Sequence, residues 1–192
     1  MRVTAIVILG LATALGGCAA SIPPVAVTRF HLGQAIAPGP VQTAPLPGID
    51  GASIEYRTYA IAVARELARL NFPEGDGPYV AEIAFARDTR ERLARRSPVT
   101  IGIGGGSFGG GFGIGLGTSF GVGGDRSKAD IVSHLEVRLK RKADQAVIWE
   151  GRAQTEAPAN APAAQPGLAA EKLASALFAG FPGESGRTIT VP

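Results

Sequence analysis

The cleanest pattern in the chain runs from Ile131 to Lys140, where Ile131, Ser133, Leu135, Val137 and Leu139 alternate with His134, Glu136, Arg138 and Lys140. A period of two predicts a half-buried strand. Tyr79 to Arg87 repeats the pattern, with Tyr79, Ala81, Ile83 and Phe85 on one side. Val25 to Leu32 is rich in β-favouring residues and sets Thr28, Phe30 and Leu32 on one face, so it reads as a first strand. After Lys140 a polar connection containing Ala143-Asp144-Gln145 leads into Val147–Ala153, which is expected to form a hairpin partner. Trp149 shares a face with Val147 there and is expected in the core. The closing segment 181–191 is expected to add a short edge strand.

Two stretches follow the helical period instead. Tyr56, Ala60, Val63, Leu67 and Leu70 recur at helical spacing, with Glu55, Arg57, Arg65, Glu66 and Arg69 mostly elsewhere on the circumference. Asp50 or Ser53 can cap this helix near Ala52, because a short side-chain oxygen accepts an otherwise unpaired first-turn N–H. Asn71 ends it. Ala169, Leu173, Ala176 and Leu177 mark a second helix from Leu168 to Ala179, stopped by Gly180. The order β-α-β-β-β-α, with alternating rather than uniformly apolar strands, predicts an α+β domain: a small, mostly antiparallel sheet with two helices on one face.

Breaks in these patterns set the expected boundaries. Pro38, Pro40, Pro45 and Pro47 argue for an extended surface loop over 37–48, and an Ala/Pro-rich loop is expected over 157–167. Between the second and third strands lies a glycine-rich insertion, 97–124. It carries no charged residue, and 13 of the 23 positions from Gly102 to Gly124 are glycine. Gly104-Gly105-Gly106-Ser107-Phe108-Gly109 matches GxGxxG formally, yet no helix-forming sequence follows and no Gly-Lys-Ser/Thr ending exists, so a phosphate-binding loop is not assigned. Phe112, Ile114, Leu116, Thr118, Phe120 and Val122 alternate with small residues, which favours a strand or a disordered hairpin over a helix. Such a tract could be an arm that touches a bilayer or a partner sheet edge, or an insertion without specific contacts.

Composition narrows the chemistry. The 192 residues suit one domain, and glycine (27) and proline (14) together exceed a fifth of them, as the loops require. A single cysteine excludes an internal disulfide, and with only two histidines it leaves no multi-ligand zinc or iron–sulfur site. The net charge of +3 gives no support to nucleic-acid binding. Arg87, Arg90, Arg92, Arg95 and Arg96, and separately Arg138, Lys140, Arg141 and Lys142, are basic clusters that could meet anionic lipid headgroups or cell-wall polymers. The plainer reading makes them a solvated loop and hairpin tip, with Asp88 and Glu91 partly balancing the first. His31 and His134 lie in strands without a nucleophile motif, and neither GxSxG nor HExxH occurs. No catalytic, cofactor-binding or metal-binding residue is assigned.

The N-terminus supplies the strongest address. Met1-Arg2 is followed by a mostly apolar run from Ala5 to Leu15, the layout of a signal peptide over 1–17 and too short for a permanent membrane helix. Leu15-Gly16-Gly17-Cys18 resembles the bacterial lipobox, in which two small residues precede a cysteine whose sulfur takes a diacylglyceryl group. Cys18 is the only cysteine in the chain. The alternative is a plain secretory signal cut at an Ala-x-Ala-like site such as Cys18-Ala19-Ala20. Residues 18–24 would form a tether and 25–192 the domain. Ala19 is not the Asp that resembles an inner-membrane retention signal, so the expected location is the periplasmic face of the outer membrane.

Taken together, the lipobox, the TRFHL strand, the SIEYRTYAIAVARELARLNF helix, RRSPVTIGIGGG, VIWEGRA and ALFAGFPGESGRTITV resemble the bacterial lipoproteins of domain-of-unknown-function family 4136 over roughly residues 22 to 192. The resemblance implies a small α+β domain like those of other envelope proteins, and it implies no catalytic activity. The expectation is therefore a non-enzymatic, lipid-anchored interaction or envelope-maintenance module with an envelope protein as partner. The alternatives are a cell-wall hydrolase working through Glu82, Glu136 or Glu150, which would need two carboxylates about 5 to 9 Å apart, and a multimeric membrane assembly built from the glycine-rich tract.

Overall fold

In the computed structural model, which describes residues 23–91 and 129–192, alternation along four long strands sorts side chains onto the two faces of one mixed sheet. The elements run β1 (Val25–His31), β2 (Val41–Pro45), α1 (Ile54–Arg69), β3 (Tyr79–Glu91), β4 (Ala129–Arg141), β5 (Val147–Pro158), a 3-10 turn (Pro162–Ala164), α2 (Pro166–Phe178) and β6 (Thr188–Val191). The six strands lie in the order β2-β3-β4-β5-β1-β6, and the two helices make the fold α+β. Each pairing between these strands is antiparallel except β2 with β3, which run parallel because α1 carries the chain back between them.

Register explains the core. Val27, Ala153, Leu135 and Phe85 stand side by side across β1, β5, β4 and β3, and the next row places Arg29, Gly151, Val137 and Ile83 together. These residues face the helices. From α1 the core receives Tyr56, Tyr59, Ala62, Val63 and Leu67, and from α2 Ala170, Leu173, Ala174 and Leu177. Ser53 caps α1 by accepting a hydrogen bond from the Tyr56 amide at 3.1 Å, while the Asp50 carboxylate accepts from the Ala52 amide one turn earlier. Tyr59 stacks on Phe85 with ring centroids 4.7 Å apart. Burial, reinforced by the nearby Glu55 carboxylate, raises its hydroxyl pKa to about 12.

Several expectations need correction. The segment 37–48 is not wholly a surface loop: Pro40 and Pro45 bracket a short edge strand, β2, whose Val41 is buried and whose amide donates to the Pro73 carbonyl at 2.9 Å. Proline is tolerated there because an outer strand need not donate on its free side. The segment 157–167 is likewise not all loop. Ala157 and Pro158 complete β5, the 3-10 turn follows, and α2 begins at Pro166, where a missing N–H costs nothing in a first helical turn. In β1 the buried row is Val25, Val27 and Arg29, whereas Phe30 and Leu32 are exposed. Trp149 enters the core without Val147, since the register slips between Leu139 and Lys140 and leaves Val147 exposed. The signal segment, Cys18 and the glycine-rich tract lie outside the described residues.

Candidate functional site

Carboxylates and cations named from the sequence meet on the sheet face that no helix covers. Strand register puts Glu82 beside Arg138, Arg138 beside Glu150, and Glu136 beside Arg152. The Arg138 guanidinium reaches Glu136 at 2.6 Å and Glu150 at 3.5 Å, Arg152 reaches Glu150 at 2.6 Å and Glu136 at 3.7 Å, and Lys140 reaches Glu82 at 2.9 Å. All three carboxylates proposed for hydrolysis are thus engaged by cations in a ladder of alternating sign. The ladder borders an open depression of about 400 Å³ that also contains Thr28, His134 and Gln154. His134 Nε2 lies 3.5 Å from Asp88 at its upper end.

The other described members of the two basic clusters are also engaged. Arg90 pairs with Glu156 at 3.0 Å, Arg87 donates to the Ala164 carbonyl at 2.7 Å, and Arg141 lies 3.6 Å from Asp144. Lys142 donates to Asp76 at 2.6 Å, which holds the Asp76 carboxyl below the usual carboxylate range. Arg92, Arg95 and Arg96 lie outside the described residues.

Beneath the helices, segments distant in sequence lock together. Arg29 is 4% exposed, and it donates from Nε to Leu177 and from Nη2 to the carbonyls of Ala176 and Ala179, at 2.8 to 2.9 Å. A cation at the carbonyl end of a helix is well placed electrostatically, and these bonds satisfy groups that α2 cannot satisfy itself. Burial lowers the Arg29 pKa from its ordinary value. His31 Nδ1 accepts from the Gly33 amide and Nε2 faces the Gly183 carbonyl at 3.0 Å, which fits a ring with its proton on Nε2. Trp149 donates to the Pro182 carbonyl and stacks on Phe178. Gly151 makes room for it, since a Cβ there would come within 2.4 Å of the indole ring. His31, Trp149 and Arg29 are therefore occupied in holding the fold.

A second concavity was not foreseen. Leu168, Ala176, Ala179, Val191 and Pro192 line an apolar groove of about 610 Å³ between α2 and the chain end. Periodicity along one element could not reveal it, because the groove needs α2, the 3-10 turn and β6 together. At its edge the Lys172 ammonium donates to the Pro23 carbonyl. Among the described residues no group of three metal-ligating side chains occurs, and no helix is long and apolar enough to cross a membrane.

No protein-family model matches the chain. It is 32% identical over 209 residues to the uncharacterized protein ZMO1243 of Zymomonas mobilis, covering 86% of this chain and 79% of that protein. Among solved structures it is similar to the PelC dodecamer from Paraburkholderia phytofirmans, with a TM-score of 0.45 and 12% identity over 80% of this chain and 94% of that one. It is also similar to a PDZ domain protein from Parabacteroides distasonis, with a TM-score of 0.48 and 8% identity over 88% of this chain and 39% of that one.

Proposed function

This chain belongs to the family of the Zymomonas mobilis protein ZMO1243, and we propose that it is a periplasmic lipoprotein, anchored to the outer membrane through Cys18, that acts as a non-enzymatic interaction or envelope-maintenance module of the kind found in domain-of-unknown-function family 4136. The observation that carries this reading is the single cysteine standing directly after Leu15-Gly16-Gly17 and the short apolar run. Two glycines give the peptidase a narrow backbone, and the thiol is the nucleophile toward the lipid donor. Stable anchoring follows from two or more acyl chains where one would be marginal. The test is Cys18→Ser: fatty-acid labelling disappears and the protein stays as precursor or leaves the membrane fraction. Normal labelling and fractionation of that variant overturn the reading.

The hydrolase alternative gains nothing from the open sheet face, where Glu82, Glu136 and Glu150 are bound by Lys140, Arg138 and Arg152. The multimeric membrane assembly keeps one supporting observation. Glu91 pairs with Ala129, so the described residues on either side of 92–128 stand opposite one another on β3 and β4. Replacing residues 102–124 by a short Gly/Ser linker therefore leaves unfolding cooperative, with stability changed by about 1 kcal/mol. Loss of a detergent-stable multimer in the same variant favours the assembly reading.

A further inference from the structure

We propose that the groove between α2 and the chain end takes one acyl chain of the lipid carried on Cys18 whenever the anchor is out of the bilayer. The proposal rests on the lipoprotein reading and gives that lipid a second place to lie.

Three observations converge on this occupant. The groove walls are mostly hydrocarbon, from Leu168 and Ala176 of α2 and from Val191 and Pro192, and Leu168 remains 48% exposed. An apolar surface of this kind gains free energy when covered. The start of the described chain is fastened at the same place: Lys172, a lining residue, donates to the Pro23 carbonyl, and Thr155 Oγ1 donates to the Pro24 carbonyl at 3.0 Å. Val25 then pairs with Val191, so the first strand begins against the groove wall. Cys18 is five residues ahead of Pro23. Five residues span at most about 17 Å, so the thioether is confined to the neighbourhood of the groove however the tether runs.

Charge agrees with a hydrocarbon occupant. The charged lining residues are Glu171 and Lys172; Glu171 is paired with Arg65 at 3.0 Å, and Lys172 is turned to Pro23. Both of these side chains therefore have a partner within the protein. Sheltering one chain would lower the cost of moving the protein through water, since every exposed methylene adds to that cost.

The experiment uses the full-length protein from cells fed a photoreactive fatty acid, purified in detergent and then diluted until micelles are gone. Irradiation followed by peptide mass spectrometry reads where the lipid of Cys18 has inserted. The expected result is insertion within the same molecule, into 161–179 and 189–192, reduced roughly tenfold by Leu168→Glu with labelling of Cys18 unchanged. Leu168 is half exposed, so the unfolding midpoint of that variant should match the parent. Insertion elsewhere in the domain, or only into a second copy, overturns the groove assignment while leaving the lipoprotein reading intact. Absence of fatty acid on Cys18 itself overturns both.

Discussion

The two faces of the sheet are built from alternate residues of the same strands, yet they solve different problems. On the covered face the rows read Val27, Ala153, Leu135 and Phe85, and one buried cation among the described residues, Arg29, is admitted where the carbonyls of α2 surround its guanidinium. On the open face charges are common, and each acid of the ladder has a base across or along the strand. Burial makes the difference. A buried cation must be held by fixed acceptors because its desolvation penalty is large, whereas the half-wet ladder is screened by solvent and loses little when a member is removed. Substitutions at equivalent positions on the two faces should therefore differ severalfold in effect.

The largest effect is expected at the helix side of the covered face. Leu67 is buried against the sheet, so Leu67→Asp would place a charge with no partner in the core and cost several kcal/mol, about 4, or abolish cooperative unfolding. Arg65, on the outer side of the same helix, is paired with Glu171 in full view of solvent, and Arg65→Ala should cost less than about 0.5 kcal/mol. Equal midpoints for the two variants in chemical denaturation would erase the distinction between the faces of α1.

Next comes Arg29. Arg29→Met keeps the length of the stem but leaves the carbonyls of Ala176, Leu177 and Ala179 without their donors, a loss of about 3 kcal/mol. Arg29→Lys should recover only a small part, because an ammonium cannot present the planar fork that reaches three carbonyls at once. Full recovery by lysine, measured by thermal unfolding, would mean that charge alone matters there.

The same two faces show what can be read from a sequence. Ile131–Lys140 announces its register by alternation, and Leu67 its direction by helical period, because each signal is complete within one element. Arg29 does not. A charged residue beside Phe30 invites the assignment of Phe30 to the core, and only the carbonyls of α2, nearly 150 positions later, reverse it. β2 was obscured by its own prolines, since Pro40 and Pro45 look like loop residues until β3 lies alongside. The groove depends on Val25 meeting Val191, a contact no local pattern encodes. Cys18 is the opposite case: the lipobox proposed there rests on its neighbours alone, because such a signal would be read as an extended peptide.

On the open face a double-mutant cycle gives a smaller number. Glu136→Gln and Arg152→Gln should each change stability slightly, with a coupling of about 0.5 to 1 kcal/mol that shrinks as salt is added. A coupling above about 3 kcal/mol, persisting at high salt, would assign the ladder the energetics of the buried face.

The smallest effect belongs to Asp76, which is almost wholly exposed and hydrogen-bonded to Lys142 at 2.6 Å. The Lys142 hydrogen bond and charge together lower its pKa from 3.8. Because the folded value lies below the unfolded one, the stabilisation is present above pH 3.8 and is lost as pH falls through the lowered value. At such an exposed site the shift should be visible by NMR titration of the carboxyl carbon while barely moving the unfolding midpoint. Lys142→Met should return the titration toward 3.8, and salt should do so partially. If Lys142→Met leaves the titration unmoved, the contact does not persist in solution; if it lowers the midpoint as much as Arg29→Met does, solvent exposure is not what separates the weak charges of this domain from the strong one.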